Sequence, residues 1–290
     1  MYDLSLRFLV QSPMNACCRP MYLGWERHVS QDYCECGIVR KEETSCVWQY
    51  TFSGRGRIRH GKKTYDVLPG QGFLAVVNDP DTDYFYPEDG TEEWSFVWFA
   101  YEAGPSRELT AEMIDRYTPV FDLSPESETI RYFTALRDSR TEVVEVHAMQ
   151  GMRIILRLLE ELQNQRLLDI ARNMPPLLER TLRIVRESPV VPKVGKLSEL
   201  LGVTQEHLSR NFRSVMGVSL GDYLAEARCE KARILLASDT LGLKEIANQV
   251  AFENTSSFIR MFRQRTGMTP GEYRAHQMRL RCNDGPSVAP

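Results

Sequence analysis

Ten side chains fall into two matching sets 50 residues apart. The first is Gln205, Glu206, Ser209, Arg210 and Arg213; the second is Thr255, Ser256, Ser257, Arg260 and Arg263. In each set small or amide-bearing hydrogen-bonding groups come first, and arginines follow about one helical turn later. Short polar side chains let a helix N-terminus approach a phosphate or a base edge. A guanidinium fork spans guanine O6 and N7, or two phosphate oxygens. This is the chemistry of recognition rather than turnover. The five histidines, at 28, 60, 147, 207 and 276, include no His-x-His pair, and only His28 and His60 precede the helical region. A metal-dependent catalytic centre is therefore not expected, and neither an enzyme nor a cofactor is inferred.

The elements that must position these residues come from an internal repeat. Leu197-Ser198-x3-Gly202-Val203-x4-Leu208-x3-Phe212-x4-Gly217-x-Ser219-x3-Tyr223 is echoed by Ile246-Ala247-x3-Ala251-Phe252-x5-Phe258-x3-Phe262-x4-Gly267-x-Thr269-x3-Tyr273. In each copy a small residue on a first helix (Ser198, Ala247) permits close approach. A short turn leads to a second helix whose apolar positions, Leu208/Phe212/Val215 and Phe258/Phe262, face a core. That is the helix-turn-helix pattern, in which the second helix enters the major groove. Thr204 and Asn254 are expected N-caps, and Thr269-Pro270-x-Glu272 combines a cap, a first-turn proline and a reciprocal acid. Residues 219–237 read as a connecting helix of roughly 28 Å, near the ~34 Å between successive major grooves on one side of DNA.

The net charge of −3 conceals two opposite halves. Residues 1–176 carry 19 Lys and Arg against 27 Asp and Glu, whereas residues 177–282 carry 17 against 11. A basic C-terminal part behind an acidic front suggests a polyanion-binding module joined to something that need not touch nucleic acid. The change of sign coincides with Asn173-Met174-Pro175-Pro176, where two prolines stop a helix. From Cys46 to Tyr101, β-branched and aromatic runs (47–52, 64–68, 73–77 and 94–99) alternate with Gly/Pro turns, which indicates an antiparallel sandwich or barrel. Residues 107–117, 126–138 and 142–169 have helical spacing, the last with Met152, Ile155, Leu156, Leu159 and Leu162 on one stripe. The longest apolar run, Phe73 to Val77, is far below the ~20 residues of a membrane span, and no leader pattern is seen. A cytoplasmic protein without a membrane partner is expected.

Arg228-x3-Ala232-x2-Leu235-Leu236, followed by the second repeat through Thr269-Pro270-x2-Tyr273-Arg274, resembles the signature of the AraC/XylS family of bacterial transcription regulators. Two departures stand out: Ser198 where the family usually has Ala, and Ala251 where it usually has Gly. The second strains the turn if the position needs φ > 0. The resemblance implies that Glu206, Ser209, Arg210, Thr255, Ser256, Ser257 and Arg260 lie at base- and phosphate-contacting positions. Tyr50-Thr-Phe-Ser-Gly54-Arg-Gly56, Tyr65-Asp-Val-Leu-Pro69-Gly70-Gln-Gly72 and Glu93-Trp94-Ser-Phe96-Val-Trp98 are similar to the family's cupin-like effector domain. The expected fold is therefore α+β. A cupin-like antiparallel β-barrel over 1–105 binds the effector, a helical dimerisation segment spans 106–173, and an all-α double helix-turn-helix spans 177–282. Implied partners are double-stranded promoter DNA, a small-molecule effector of carbohydrate type, a second copy of the chain and RNA polymerase. The stripe on 142–169 either pairs subunits or packs within one.

Period-two alternation puts Trp94, Phe96 and Trp98 on one strand face. If that face lines the barrel interior, indoles are available to stack on a sugar or an aromatic effector. The candidate effector residues are Arg40, Trp48, Tyr84, Tyr86, Phe96 and Trp98, with core packing as the alternative for each aromatic. Seven cysteines include Cys17, Cys18, Cys34, Cys36 and Cys46 in the first 46 residues. Cys-Cys and Cys-x-Cys are not the Cys-x2-Cys spacing of common zinc sites. A regulator triggered by metal or thiol oxidation at these cysteines is the alternative to a sugar-controlled one, and no metal ligand set is assigned.

Overall fold

The computed structural model describes residues 2–40, 44–102, 104–237 and 241–283. The chain divides into two compact units between Arg172 and Asn173. The first contains β1 (Tyr2–Gln11), β2 (Pro20–His28), β3 (Cys34–Cys36), β4 (Ser45–Ser53), β5 (Gly56–His60), β6 (Lys63–Val67), β7 (Gln71–Val76), β8 (Thr82–Phe85) and β9 (Trp94–Glu102). It continues with α1 (Ser106–Arg116), β10 (Val120–Asp122), α2 (Glu128–Asp138), β11 (Val143–His147) and α3 (Ala148–Arg172).

Its strands form a seven-stranded sheet in the order β10-β7-β4-β9-β2-β1-β11 and a four-stranded sheet in the order β3-β8-β5-β6. Alternation along β4 explains how both faces of the large sheet become buried. Cys46, Trp48 and Tyr50 point to a core shared with Met113, Phe133, Ile155, Leu158 and Leu162 of the three helices. Val47 points the other way and packs with Ile58, Val67, Phe73 and Tyr84 between the sheets. The unit is thus three layers deep, and β4 reads as a nearly continuous apolar run for that reason.

Three expectations are corrected. The strands begin at Tyr2 rather than near Cys46, with β1 and β2 adding two long members to the large sheet. Residues 143–147 are a strand, not the start of the 142–169 helix, and β11 pairs parallel to β1. A parallel neighbour must be reached by a long crossover, which the chain from β2 to α2 supplies. Finally, the barrel is two facing sheets that do not close into one hydrogen-bonded cylinder among the described residues.

The second unit is all helix: α4 (Pro176–Glu187), α5 (Val194–Leu201), α6 (Gln205–Met216), α7 (Leu220–Ala237), α8 (Leu243–Gln249), α9 (Thr255–Thr266) and α10 (Pro270–Asn283). It has two cores. Leu220 and Leu224 of α7 join Leu178, Leu197, Leu208 and Phe212 in one. Cys229, Ala232 and Leu236, one to three turns later, join Ile246, Val250, Phe258 and Phe262 in the other. The 18 residues of α7 run about 27 Å. A single helix therefore belongs to both cores and fixes the distance between them.

Candidate nucleic-acid interface and ligand cavity

The two repeated helix pairs are built alike. Gly202 closes α5 at φ +68, and Thr204 then caps α6 by accepting a hydrogen bond from the His207 amide at 3.2 Å. In the second pair Ala251 occupies the turn at φ +65, and Asn254 Oδ1 accepts from the Ser257 amide at 2.8 Å. The left-handed position is therefore real in both copies, and in the second a Cβ-bearing residue occupies it. The box at the start of α10 also forms, with the Thr269 amide donating to Glu272 at 2.7 Å.

Burial of Leu208 and Phe212 on α6, and of Phe258 and Phe262 on α9, turns the opposite faces outward. Gln205, Glu206, Arg210 and Arg213 are exposed on α6, with Ser209 half-buried; Ser256, Arg260 and Arg263 are exposed on α9, with Thr255 and Ser257 half-buried. The structure thus brings each set of five together on one helix. The two faces differ electrostatically. Arg210 is paired with Glu206 one turn back. Arg260 and Arg263 have no ion pair among the described residues, although Arg263 lies near enough to Glu272 to act on its carboxyl.

Sequence reasoning missed the groups that hold these helices in place. Arg228 of α7 donates to the Pro192 carbonyl at 2.8 Å, and Arg274 of α10 donates to the Leu241 carbonyl at 2.6 Å. Pro192 and Leu241 lie 49 residues apart, each just before the first helix of its pair, so the clasp is repeated although the arginines are not in register. Burial pulls the Arg228 guanidinium below its ordinary value. Lys193, just ahead of α5, reaches Glu253, just ahead of α9, at 2.5 Å, and Arg265 of α9 reaches Asp222 of the connecting α7 at 2.8 Å.

In the first unit a cavity of 140 Å³ lies between the two sheets, lined by Glu26, Tyr33, Arg40, Gln49, Tyr84 and Trp98 among others. Trp98 of β9 stands in register with Gly24 on β2 and Gln49 on β4. A Cβ at Gly24 would come within 2.6 Å of the indole, so only glycine there lets Trp98 lie across β2. The indole Nε1 donates to Glu26 Oε1 at 2.5 Å, and His28 Nε2 lies 2.8 Å from Glu26 Oε2. Tyr33 donates to Gln49 Oε1 at 3.1 Å, while Gln49 Nε2 is buried without a partner. Burial, reinforced by Tyr84, Glu26 and Glu35, raises the Tyr33 phenol well above its ordinary value and keeps it a donor. Arg40 donates to Tyr84 at 2.7 Å and to Glu35 at 2.8 Å.

Of the six effector candidates, Arg40, Tyr84 and Trp98 meet at this cavity. Tyr86 and Phe96 sit beside it in a closed aromatic cluster with Trp94, the Tyr86 hydroxyl donating to the Glu92 carbonyl at 2.7 Å. Trp48 does not belong. It alternates to the helix-facing side of β4 and is fully buried with Tyr50 and Phe133. Glu26, Tyr33 and Gln49 escaped the sequence reading, Glu26 because β2 carried no turn-bounded strand signal. Gln49 had a usable signal: it is the amide in the middle of an otherwise apolar strand.

The cysteines do not form one site. Cys34 and Cys36 lie on β3 of the small sheet, whereas Cys18 and Cys46 are buried in the core behind the large one. Burial pushes the Cys46 thiol up to about 11, which disfavours the reactive thiolate. Among the described residues no group of three His, Cys, Asp or Glu is placed to hold a metal ion. The side chain of Cys282 lies outside the described residues. On α3 the expected stripe is largely spent within the unit: Ile155, Leu159 and Leu162 are buried, Met152 is half-buried and Leu156 is 40% exposed. No helix among the described residues is long and apolar enough to cross a membrane.

Comparison with known proteins agrees with this geometry. A family model described as a helix-turn-helix domain matches residues 197–276, and one described as an AraC-like ligand binding domain matches residues 37–179. The chain is 20% identical over 235 residues to the Msm operon regulatory protein of Streptococcus mutans, covering 79% of this chain and 83% of that one. It is 33% identical over 79 residues to the uncharacterized HTH-type transcriptional regulator YpdC of Escherichia coli, covering 27% of this chain and 28% of that protein. A solved structure, the C-terminal domain of the two-component response regulator yesN from Fusobacterium nucleatum, is 37% identical over 33% of this chain and 95% of its own, with a TM-score of 0.32. With an AraC-like ligand-binding domain ahead of a duplicated helix-turn-helix, the chain belongs to the AraC/XylS family of DNA-binding transcription regulators.

Proposed function

We propose that this regulator is controlled by a carbohydrate bound in the cavity between the two sheets of its first unit, and that it has no catalytic step. The observation that carries the reading is the cavity's polar lining. The buried Gln49 amide lacks an acceptor among the described residues, the Glu26 carboxylate has acceptor sites beyond its bonds to Trp98 and His28, Arg40 adds a positive charge, and the Trp98 indole supplies an apolar face. A polyol with hydroxyls on its edge and C–H bonds on its face matches each of those groups. Gln205, Glu206, Ser209, Arg210 and Arg213, together with Thr255, Ser256, Ser257, Arg260 and Arg263, then contact promoter DNA in adjacent major grooves. The effector acts by shifting the population of molecules able to hold both half-sites.

The protein works in the cytoplasm as a homodimer, with RNA polymerase as a further partner. Support for pairing is the outer stripe of α3, where Met149, Leu156 and Leu167 remain 59%, 40% and 46% exposed. Leu156→Glu is expected to convert the dimer to monomer in light scattering and to remove the concentration dependence of the melting temperature.

The test is calorimetric titration of the full chain with a panel of mono- and disaccharides. A sugar that binds the wild type but is lost in Glu26→Gln and Trp98→Ala, with DNA binding retained, supports the reading. A sugar whose affinity ignores both substitutions, or no binding across the panel, overturns it.

A further inference from the structure

A second concave site, separate from the inter-sheet cavity, lies where α2, β11 and the first turns of α3 meet. It encloses 300 Å³, within the roughly 300–1,000 Å³ range of small-molecule sites. Its floor is apolar, made by Tyr132 of α2, Val144 of β11 and Ile154 of α3. Its lip carries Arg153 and Arg157, which stand one turn apart on the same face of α3. Arg153 makes no hydrogen bond or ion pair among the described residues. Arg157 pairs with the 73%-exposed Glu128 at 3.3 Å and also acts on the Tyr132 phenol. Thr129, which also lines the groove, is 2% exposed, and its hydroxyl has no hydrogen-bond partner among the described residues. Glu145 borders the same groove and keeps its charge, with one carboxylate oxygen accepting from Gln11 Nε2 at 2.5 Å.

The geometry points to a binding site for a medium-chain aliphatic carboxylate, with the head group between Arg153 and Arg157 and the chain along Tyr132, Val144 and Ile154. Two guanidinium forks one turn apart suit a planar anion that accepts two hydrogen bonds from each. A purely inorganic anion would leave the apolar floor uncovered, an uncharged chain would leave the arginines unused, and a cation would be repelled by them. The groove is formed entirely within the first unit and shares no side chain with the inter-sheet cavity, so it stands or falls independently of the sugar reading.

The test is calorimetric titration of the full chain with octanoate, hexanoate and 1-octanol. Octanoate is expected to bind, and hexanoate more weakly by roughly fifteenfold, since each of the two missing methylenes changes affinity about fourfold. 1-Octanol is expected to bind at least tenfold more weakly than octanoate. Arg153→Gln with Arg157→Gln should reduce octanoate to the level of 1-octanol while leaving 1-octanol unchanged, which also verifies that the double variant is folded. Arg153→Lys with Arg157→Lys should recover part of the loss, and Trp98→Ala in the other cavity should have no effect. Equal octanoate affinity in the wild type and the Gln variant overturns the assignment. So does loss of octanoate binding in Trp98→Ala, or absence of binding at millimolar octanoate.

Discussion

At the residue scale α6 and α9 differ in one charge relation: Glu206 stands one turn before Arg210, whereas Ser256 holds the matching place before Arg260. Arg260 is free to meet a guanine or phosphate, whereas Arg210 must first leave Glu206, an exposed pair one turn apart that is worth a few tenths of a kcal/mol. Arg260→Ala is expected to cost about 1–3 kcal/mol of operator binding and to relax preference at one base pair. Arg210→Ala is expected to cost less, because the wild-type side chain gives up a partner on binding. Fluorescence anisotropy with singly substituted operators separates the cases: equal weakening on every sequence would assign either arginine to phosphate instead. Removing the acid should have the opposite sign. Glu206→Gln should tighten binding to unrelated DNA, where a carboxylate near the phosphates is only repulsive.

At the element scale the repeat predicts where one copy is less favourable than the other. Gly202 and Ala251 occupy equivalent left-handed turns, and a Cβ in that region costs roughly 1–2 kcal/mol. Ala251→Gly should therefore raise stability by about 1 kcal/mol in thermal or urea melts, after allowing for the greater freedom of glycine in the unfolded chain. An unchanged melting curve would mean that neighbouring packing already relieves the strain. The junction of α7 with α9 adds a pH dependence. A hydrogen bond from Ser219 and then the contact with Arg265 hold the Asp222 carboxyl below its ordinary value. Its folded value is depressed, so its contribution is present above the unfolded carboxylate range and is lost as pH falls through the folded value. Asp222 is solvent-exposed, so the effect is small. Asp222→Asn should lower the melting temperature slightly near neutral pH, and the difference should vanish in acid once the folded-state carboxyl is protonated.

At the scale of the whole molecule the second unit is two small cores strung on α7, and the first buries both faces of its large sheet, one under helices and one under the small sheet. Phe262 is fully buried in the core beyond the midpoint of α7. Phe262→Ala should cost about 3–5 kcal/mol locally. Amide exchange should show α8 and α9 losing protection while α5 and α6 keep theirs, because Phe212 and Leu208 belong to the other core. Uniform loss across both helix pairs would show that α7 couples the cores into a single cooperative block.

The sequence by itself determined the duplicated helix pairs, their caps and the side chains they expose. These features depend on contacts between residues a few positions apart, which period, cap chemistry and a 50-residue repeat record directly. It also determined the helices α1 and α2 and the shared face of Trp94, Phe96 and Trp98. Only the tertiary structure decided which aromatics meet a cavity. Trp48 and Trp98 carry the same chemistry on adjacent strands, and the phase of alternation against two different buried layers sends one to the core and the other to Glu26. The same holds for β11, whose five residues form a strand only because β1 offers a parallel edge. Gln49, Arg228 and Arg274 gain their roles from partners 16 to 36 positions away. Pairings at that separation leave no periodicity in the chain, because they are selected by packing of whole elements rather than by the preferences of neighbouring residues.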